Sequence, residues 1–263
     1  MINFNVLIFI SLFFSNVCLL ATEKELLFLS TPRCGKHWAL YCLSNLLQKR
    51  VVIDRGPTEN CVFDHLMLDT NQGDIFAAHN PKDLWIKKNG DERDVLFLMI
   101  RNYREAMIRN YETVENVINE FKGQASNNWL DDCKYYAQLS HDNHYINNIR
   151  VFDQWNPNNR YLIYYEDLIE NPRHVLAGIL DFLQVESSEK ILDEFIQNIE
   201  DHKLICLKIY NTQGGSRSKG MDLLYHSKKI GLESCRNIDM TVELLFPYYF
   251  DHYLKRYKIK NRF

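Results

Sequence analysis

Short runs of consecutive apolar residues alternate along this chain with longer stretches in which apolar residues recur at helical spacing. Runs that are apolar at every position are typical of parallel strands buried on both faces. Their alternation with helical stretches predicts an α/β fold, a three-layer sandwich with a central parallel sheet and helices on both faces. The predicted strands are Leu26–Leu29, Val51–Ile53, Ile75–Ala78, Val95–Ile100 and Tyr161–Tyr165.

The best-marked helix is predicted to start after Asn171, because asparagine is a favoured N-cap and Pro172 fits the first helical position. Its core face would carry Val175, Leu176, Ile179, Leu180 and Leu183. Residues 211–237 are rich in Gly, Ser, Lys and Arg and are predicted to form a long loop. Other helices are predicted over residues 36–48, 104–121, 188–199 and 241–257, with residues 127–155 helical as well.

The N-terminal residues differ from the rest of the chain. Met1 to Leu20 is almost wholly apolar, no charge appears before Glu23, and Ala21 is a small residue suited to a cleavage site. We interpret residues 1–22 as a signal peptide or N-terminal anchor, and residues 23–263 as one domain. This predicts a secreted or membrane-anchored protein, with transient membrane contact through the N-terminal segment. The alternative is a buried N-terminal element in a cytoplasmic protein, since the positive residues that usually begin a signal are missing.

Composition excludes several classes of protein. A length of 263 residues suits one large α/β domain, and a net charge of -3 argues against a nucleic-acid partner. The seven cysteines include no CxxC pair, and no cluster of metal-ligating residues is evident, so no metal is expected.

Three polar clusters each follow directly on a predicted strand. They are the segments 30–38, 79–81 and 101–102. In an open parallel sheet, ligands bind outside the carboxyl ends of the strands. We therefore expect the three clusters to meet at one edge and to form a binding site there.

The first cluster has the features of an anion-binding turn. It joins a strand to a helix, whose N-terminal N–H groups and dipole favour an anion. Arg33 and Lys36 add positive charge for phosphate oxygens, and Trp38 offers a flat face to a base. The turn is not a Walker A loop, because Ser30 replaces its first glycine and His37 its Ser/Thr. A magnesium-dependent kinase is therefore disfavoured, and an ordinary strand-to-helix turn is the alternative.

At this point the sequence resembles the sulfotransferases that use 3′-phosphoadenosine 5′-phosphosulfate (PAPS), which share a P-loop-like nucleotide-binding fold. Their phosphosulfate loop typically reads Y-P-K-S-G-T-T-W, and residues 31–38 here read T-P-R-C-G-K-H-W. The resemblance implies that Arg33 contacts the 5′-phosphosulfate and that Trp38 stacks on adenine. The remaining donor contacts that it implies are Cys34, Gly35, Lys36 and His37.

Residues 101–109 resemble the family's 3′-phosphate segment, R-N-P-x-D-x-x-x-S. Arg101 matches the arginine that binds the 3′-phosphate, and Arg109 stands where the family has serine. Near its C-terminus the family carries R-K-G-x-x-G, which closes over the same phosphate. Residues 228–231 are one candidate for it, and a solvated basic loop is the alternative. The other candidate supplies Arg217, Lys219 and Gly220.

Two further segments extend the resemblance. Residues 164–183 resemble the family's Y-E-D-L…N-P…I-L-x-F-L, in which Tyr165 is a candidate adenine contact and Glu166 and Asp167 are expected to be structural. Residues 75–81 resemble a stretch ending in T-H-L-P, so that His79 matches the general base that takes the acceptor's proton. Ala77 stands where many family members have lysine. Taken alone, a histidine after a strand is more often structural.

The resemblance implies a sulfotransferase that moves a sulfuryl group from PAPS, its donor substrate, to an acceptor hydroxyl or amine. The acceptor would be a small molecule, lipid, glycan or peptide. Such transfer depends on positioning and electrostatics, with Arg33 as the catalytic cation, His79 as the base and no metal. Its partners are therefore a nucleotide donor and an acceptor, which residues 121–155 would help to bind. The alternative is a catalytically inactive secreted binding protein on a sulfotransferase scaffold. It is supported by the replacement of the lysine and threonines of the donor loop, of a serine by Arg109 and of a lysine by Ala77.

Overall fold

The computed structural model describes residues 25–31, 34–53, 60–61, 74–79, 94–109, 144–185, 188–212 and 223–259. Within these residues the strands form a six-stranded sheet of order β3-β2-β4-β1-β5-β6. Every neighbouring pair is parallel except β2 with β3. The strands are β1 (Leu26–Ser30), β2 (Arg50–Ile53), β3 (Asn60–Cys61), β4 (Asp74–Ala78), β5 (Val95–Ile100) and β6 (Arg160–Tyr164).

The central strands carry the core of the molecule. Every residue of β1 and β5 is buried, as expected for strands covered on both faces, and this confirms the predicted α/β sandwich with a parallel sheet. The last strand, predicted over Tyr161–Tyr165, lies one residue earlier at each end, and Tyr165 begins a helix instead. Among the described strands β6 pairs only with β5, and Tyr164 lies opposite Ile100, the last residue of β5, so β5 offers no partner beyond it. The two-residue strand β3 was too short to predict.

The helices surround this sheet. The helix that follows β5 covers residues 103–109 of the described chain and is called α2 here. The others are α1 (Lys36–Leu47), α3 (His144–Gln154), α4 (Tyr165–Glu170), α5 (Pro172–Phe182), α6 (Ser188–Gln197), α7 (Ile199–Thr212), α8 (Tyr225–Ile230) and α9 (Leu232–Leu245). A short helical segment over Pro247–Tyr249 then continues as a π-helix, Phe250–Leu254, and a 3-10 turn, Lys255–Tyr257.

Two helix predictions need correction. The described part of 211–237 is not a loop, because the end of α7, all of α8 and the first six residues of α9 lie there. Cys235, Ile238 and Val242 are buried on one face of α9, and this periodicity outweighs the polar composition. The predicted last helix, 241–257, is interrupted because Pro247 has no N–H to continue α9.

Two further boundaries differ from their predictions. The helix expected over 188–199 ends at Gln197, and the separate helix α7, which was not predicted, begins at Ile199. Helix α5 starts at Pro172 as expected, but the side chain of Asn171 makes no capping hydrogen bond. The preference of asparagine for the N-cap thus predicted the start of α5 correctly, although the hydrogen bond that usually explains this preference is not formed.

A buried polar network fastens α2 to the C-terminal helices. The Arg104 guanidinium forms an ion pair with Asp239, and both side chains are almost fully buried. The Tyr103 hydroxyl donates to Asp239 Oδ1 at 2.6 Å, and the Ile259 N–H donates to Oδ2 at 3.0 Å. Arg104 Nη2 also donates to the Tyr257 carbonyl at 2.6 Å. The helix that follows β5 is therefore held in place by the end of the chain.

The predicted leader, residues 1–22, lies outside the described residues. Among the helices that are described, none is both long enough and apolar enough to span a bilayer.

We expect Asp239→Asn to lower the free energy of unfolding by about 3–5 kcal/mol, because it leaves the Arg104 charge buried without its counter-ion. Urea unfolding followed by circular dichroism measures this change. Asp193→Asn is the control, since its ion pair with Arg173 is half exposed, with side-chain exposures of 50% and 53%. Breaking that pair should cost about 0–1 kcal/mol. Equal losses in the two variants would contradict the assignment of the network as a structural tie.

Candidate active site

The carboxyl ends of four adjacent strands bring the predicted polar clusters together. β4, β1, β5 and β6 lie side by side and run parallel. β1 leads into the turn before α1, β4 into His79, β5 into Arg101 and β6 into Tyr165. The described residues of all three clusters therefore lie at one edge of the sheet, as expected.

The turn after β1 ends in the positive end of a helix. Gly35 is the N-cap of α1, with φ 88° and ψ 21°, and the first turn contains no acidic residue. A Cβ at Gly35 would lie 2.2 Å from a ring carbon of Tyr165. Glycine is therefore needed here both for its left-handed backbone and for the close approach of the Tyr165 ring. The helix start offers its N–H groups and dipole to an anion.

Cys34 stabilises this turn from within. Its buried Sγ donates to Thr31 Oγ1 at 3.2 Å, and its N–H donates to the Thr31 carbonyl at 3.3 Å. Burial raises the pKa of the Cys34 thiol to about 11, so the thiol stays uncharged at neutral pH. Arg33, the predicted cation of the turn, lies outside the described residues.

The other predicted residues of the turn belong to α1. Lys36 is buried at the first position of this helix. His37 is half-buried, and its carbonyl accepts a weak hydrogen bond from Cys206 Sγ at 3.8 Å. Trp38 is the next residue of α1, and the third residue of that helix.

Trp38 lies at the front of an aromatic stack. Its ring stacks on Tyr41 with centroids 5.9 Å apart, and the Tyr41 hydroxyl lies 2.9 Å from His202 Nδ1. His202 stacks in turn on Phe195 with centroids 4.3 Å apart. Burial raises the pKa of Tyr41 to about 12 and lowers the pKa of His202, so a protonated phenol meets a neutral imidazole. The half-buried indole is therefore held from behind by α1, α6 and α7.

Positive charge collects around Tyr165. The guanidinium carbon of the buried Arg101 lies 4.7 Å from the centroid of the Tyr165 ring. Burial raises the pKa of Tyr165, while the nearby charges of Arg101 and Arg109 act to lower it. The charges of two predicted nucleotide-binding arginines, Arg101 and Arg109, therefore act on Tyr165, whose ring lies beside Gly35.

The carboxylates that follow Tyr165 bind protein groups. Glu166 Oε1 accepts the Asn102 N–H at 2.9 Å, and Oε2 accepts the Tyr257 hydroxyl at 2.7 Å. Asp167 accepts two hydrogen bonds from Arg256, at 2.9 and 2.6 Å. Both acids have the structural role expected of them: Glu166 fixes the residue after Arg101, and Asp167 ties α4 to the C-terminal segment.

The ring of His79 is oriented by the end of β1. His79 Nδ1 lies 2.7 Å from the carbonyl oxygen of Ser30, and the histidine is half-buried. A carbonyl oxygen only accepts hydrogen bonds, so Nδ1 must carry the proton. In the neutral imidazole the lone pair then lies on Nε2, the nitrogen on the opposite side of the ring. This is the protonation state that a general base requires.

Of the two basic segments predicted to contact the 3′-phosphate, the structure describes one. Arg217, Lys219 and Gly220 lie outside the described residues. Residues 228–231 lie at the end of α8, with Lys228 and Lys229 exposed in its last turn. The other end of α8 is already capped by the buried Glu105, whose carboxylate accepts the His226 and Ser227 N–H groups at 3.0 and 2.7 Å. That helix start is therefore occupied by a protein anion.

Three residues that shape this edge were not predicted. Glu105 occupies the acidic position of the R-N-P-x-D pattern, a position for which the sequence indicates no role. Tyr145 of α3 contacts Arg101, the residue after β5, and Asn148 of α3 contacts His79, the residue after β4. The sequence offered one sign of these contacts, a polar residue on the buried face of a helix. In the described part of the chain, no group of three or more His, Cys, Asp or Glu side chains is arranged to hold a metal ion.

Comparison with known proteins gives a consistent result. The family model of the sulfotransferase domain matches residues 23–214, which is most of the chain. The structure resembles that of mouse sulfotransferase SULT7A1 complexed with PAP, with a TM-score of 0.60 and 12% identity over 90% of this chain and 89% of that one.

Two further structures are more distant. The sulfotransferase domain from the curacin biosynthetic pathway has a TM-score of 0.41 and 13% identity over 77% of this chain and 82% of that one. A sulfotransferase from Alicyclobacillus acidocaldarius has a TM-score of 0.39 and 11% identity over 85% of this chain and 96% of that one. No curated protein sequence matches the chain significantly.

We expect Gly35→Ala to lower the free energy of unfolding by about 2–4 kcal/mol, because a methyl group there strains the backbone and meets the Tyr165 ring. In a Tyr165→Ala background the same change should cost only the backbone strain, about 1–2 kcal/mol. Urea unfolding of the four proteins gives the coupling between the two sites.

Gly231→Ala provides the control for this cycle. Gly231 also has a positive φ, 84°, but a Cβ there would meet nothing within 4 Å. Its effect should be the same with and without Tyr165. If Gly35→Ala were equally independent of Tyr165, the close approach of ring and turn would be disproved.

Proposed function

The chain belongs to the sulfotransferase family, and we propose that it transfers a sulfuryl group from PAPS to a hydroxyl or amine of an acceptor. The observation that carries this proposal is the orientation of His79. Its Nδ1 is held 2.7 Å from the Ser30 carbonyl, so the base nitrogen Nε2 is kept without a proton. The same strand, β1, leads directly into the anion-binding helix start, so base and donor site share one support.

The nucleotide would bind along the strand ends. Arg101 and Arg109 are proposed to hold its 3′-phosphate, since both lie close enough to Tyr165 to affect its pKa. Trp38, supported by Tyr41, and Tyr165 are proposed adenine contacts. The turn residues Arg33, Cys34, Gly35, Lys36 and His37 would surround the 5′-phosphosulfate. Arg217, Lys219 and Gly220 remain the proposed C-terminal contacts.

The reaction would be an in-line displacement at sulfur. The acceptor hydroxyl gives its proton to His79 Nε2 while its oxygen forms a bond to the sulfur of PAPS. The bond between sulfur and the bridging oxygen breaks, and its electron pair stays on the 5′-phosphate of the departing adenosine 3′,5′-bisphosphate (PAP). Arg33 and the α1 N-terminus would stabilise the negative charge that develops there. In this scheme cationic side chains and helix N–H groups provide the stabilisation, and no metal takes part.

A second candidate function is a binding protein without catalysis. It is favoured by Ala77, a buried residue of β4 at the position where many family members carry lysine. Such a protein would bind PAP but release no sulfated product. Incubation with radiolabelled PAPS and pooled phenol, sterol, glycan and peptide acceptors distinguishes the two. Labelled product supports transfer, and nucleotide binding without product supports the binding protein.

We also propose that residues 1–22 act as a signal peptide or anchor and that residues 23–263 form the mature domain. The support is the uncharged apolar stretch that precedes β1. N-terminal sequencing of the protein from its own cells tests this, and a soluble chain that begins at Met1 would refute it.

We expect His79→Ala to lower kcat by about 10²–10⁴-fold, which corresponds to about 3–5 kcal/mol of barrier, with the Kd for PAP nearly unchanged. Turnover of the unmodified enzyme should fall as pH drops, because protonation of Nε2 removes the lone pair. Arg101→Ala should instead weaken PAP binding, by about 10- to 100-fold.

His252→Ala is the matched control for His79→Ala. Its Nδ1 also contacts a carbonyl, that of Tyr248 at 2.8 Å, but the residue is exposed. This variant should keep full turnover. The role of His79 as base is disproved if His79→Ala keeps near-normal turnover, or if it loses nucleotide binding and fold together.

A further inference from the structure

Helix α3 contacts the main chain of two functional residues at once. The Tyr145 hydroxyl donates to the carbonyl of Arg101, and Asn148 Nδ2 donates to the carbonyl of His79 at 3.1 Å. Tyr145 and Asn148 are three residues apart, so they share one face of the helix. Arg101 and His79 each stand directly after a strand, where the hydrogen-bond ladder of the sheet has ended.

Both contacts are made inside the protein. Tyr145 is 4% exposed and Asn148 is 1% exposed. Burial raises the pKa of Tyr145 well above its usual value, so its hydroxyl keeps the proton that it donates. In a site with little water, a main-chain carbonyl that loses its donor is costly, and the chain around it shifts to find another.

Asn148 is better explained by this contact than by packing. Its Oδ1 is buried and has no hydrogen-bond partner within the described residues. A buried, unpaired oxygen costs free energy, and an apolar side chain of similar size would avoid that cost. What asparagine offers at this position, and leucine of similar size would not, is the Nδ2 donor. Its hydrogen-bond acceptor is the His79 carbonyl.

We propose that α3 sets the position of the base relative to the donor site, with Tyr145 and Asn148 as positioning residues. This inference rests on the proposed function of His79 and Arg101. Asn148 holds the His79 main chain while Ser30 holds its ring, so backbone and imidazole are fixed from two sides. Tyr145 holds Arg101 from the same helix face. A displacement of about 1 Å between reacting groups can cost about 100-fold in rate, so a shared rigid support matters.

Asn148→Leu is the first test, because it removes the donor and the unpaired oxygen together. The cost of losing the donor to the His79 carbonyl is offset by removal of the buried, unpaired Oδ1, so the thermal midpoint should stay close to that of the unmodified protein. The Kd for PAP should be unchanged. We expect kcat to fall about 10- to 100-fold, since the base is no longer held in line. A residue with a merely structural role would change the thermal midpoint and leave kcat alone. Asn148→Ala, which removes bulk, replaces this variant if it does not fold.

Tyr145→Phe is the second test and should give the complementary result. The ring keeps its packing and only the hydroxyl is lost. Calorimetry with PAP should show binding about 3- to 10-fold weaker. Asn147→Leu is the control for both variants and should change neither quantity. Within the described residues, the hydrogen bond of this neighbouring asparagine is to the exposed Arg150.

The failure of this inference can be told from the failure of the proposed function. Nitrogen-15 NMR of labelled histidines reports the Nδ1 proton of His79 without any acceptor, and His79→Ala identifies the signal. Asn148→Leu should shift this signal and speed its exchange with water, even if the protein transfers no sulfate. The inference is overturned if this signal and kcat stay unchanged in Asn148→Leu, or if PAP binding is unchanged in Tyr145→Phe.

Discussion

Parallel pairing of β1 with β4 on one side and β5 on the other is the constraint on which the site depends. It places the ends of the three strands at one edge, and there the chain changes from strand to turn. The sheet no longer supplies hydrogen-bond partners beyond that point, so the last carbonyls are open to side chains. Ser30 uses its carbonyl to orient His79, and Arg101 and His79 present theirs to α3. Because the hydrogen bonds between strands end here, main-chain carbonyls can position the side chains of the candidate active site.

Three acidic residues near this edge are bound by groups of the protein itself. Glu105 caps α8, Glu166 bridges Asn102 and Tyr257, and Asp239 neutralises Arg104. Arg101 and Arg109 act together to lower the pKa of Tyr165, and the charge of Glu166 opposes them there. Because Glu166 is already held by two protein donors, its position is fixed by the fold. The carboxylates near this edge thus have structural partners of their own.

The sequence predicted the sheet well because buried parallel strands have an unmistakable pattern, as in Val95–Ile100, which is apolar and buried throughout. It failed over 211–237, where polar composition concealed the periodicity of α9. His79, Arg101 and Tyr165 were found through family motifs. Tyr145 and Asn148 were not, because their partners are main-chain carbonyls. Every residue has such a carbonyl, so no sequence pattern shows which of them a side chain will reach.

The thiol of Cys34 has a consequence for the charge of the donor turn. A cysteine next to the start of a helix often ionises, and a thiolate there would repel an incoming sulfate or phosphate. Burial prevents this here by holding the pKa at about 11. The turn between β1 and α1 therefore gains no negative charge from the Cys34 sulfur when the pH becomes mildly alkaline, and no thiolate competes there with an incoming anion.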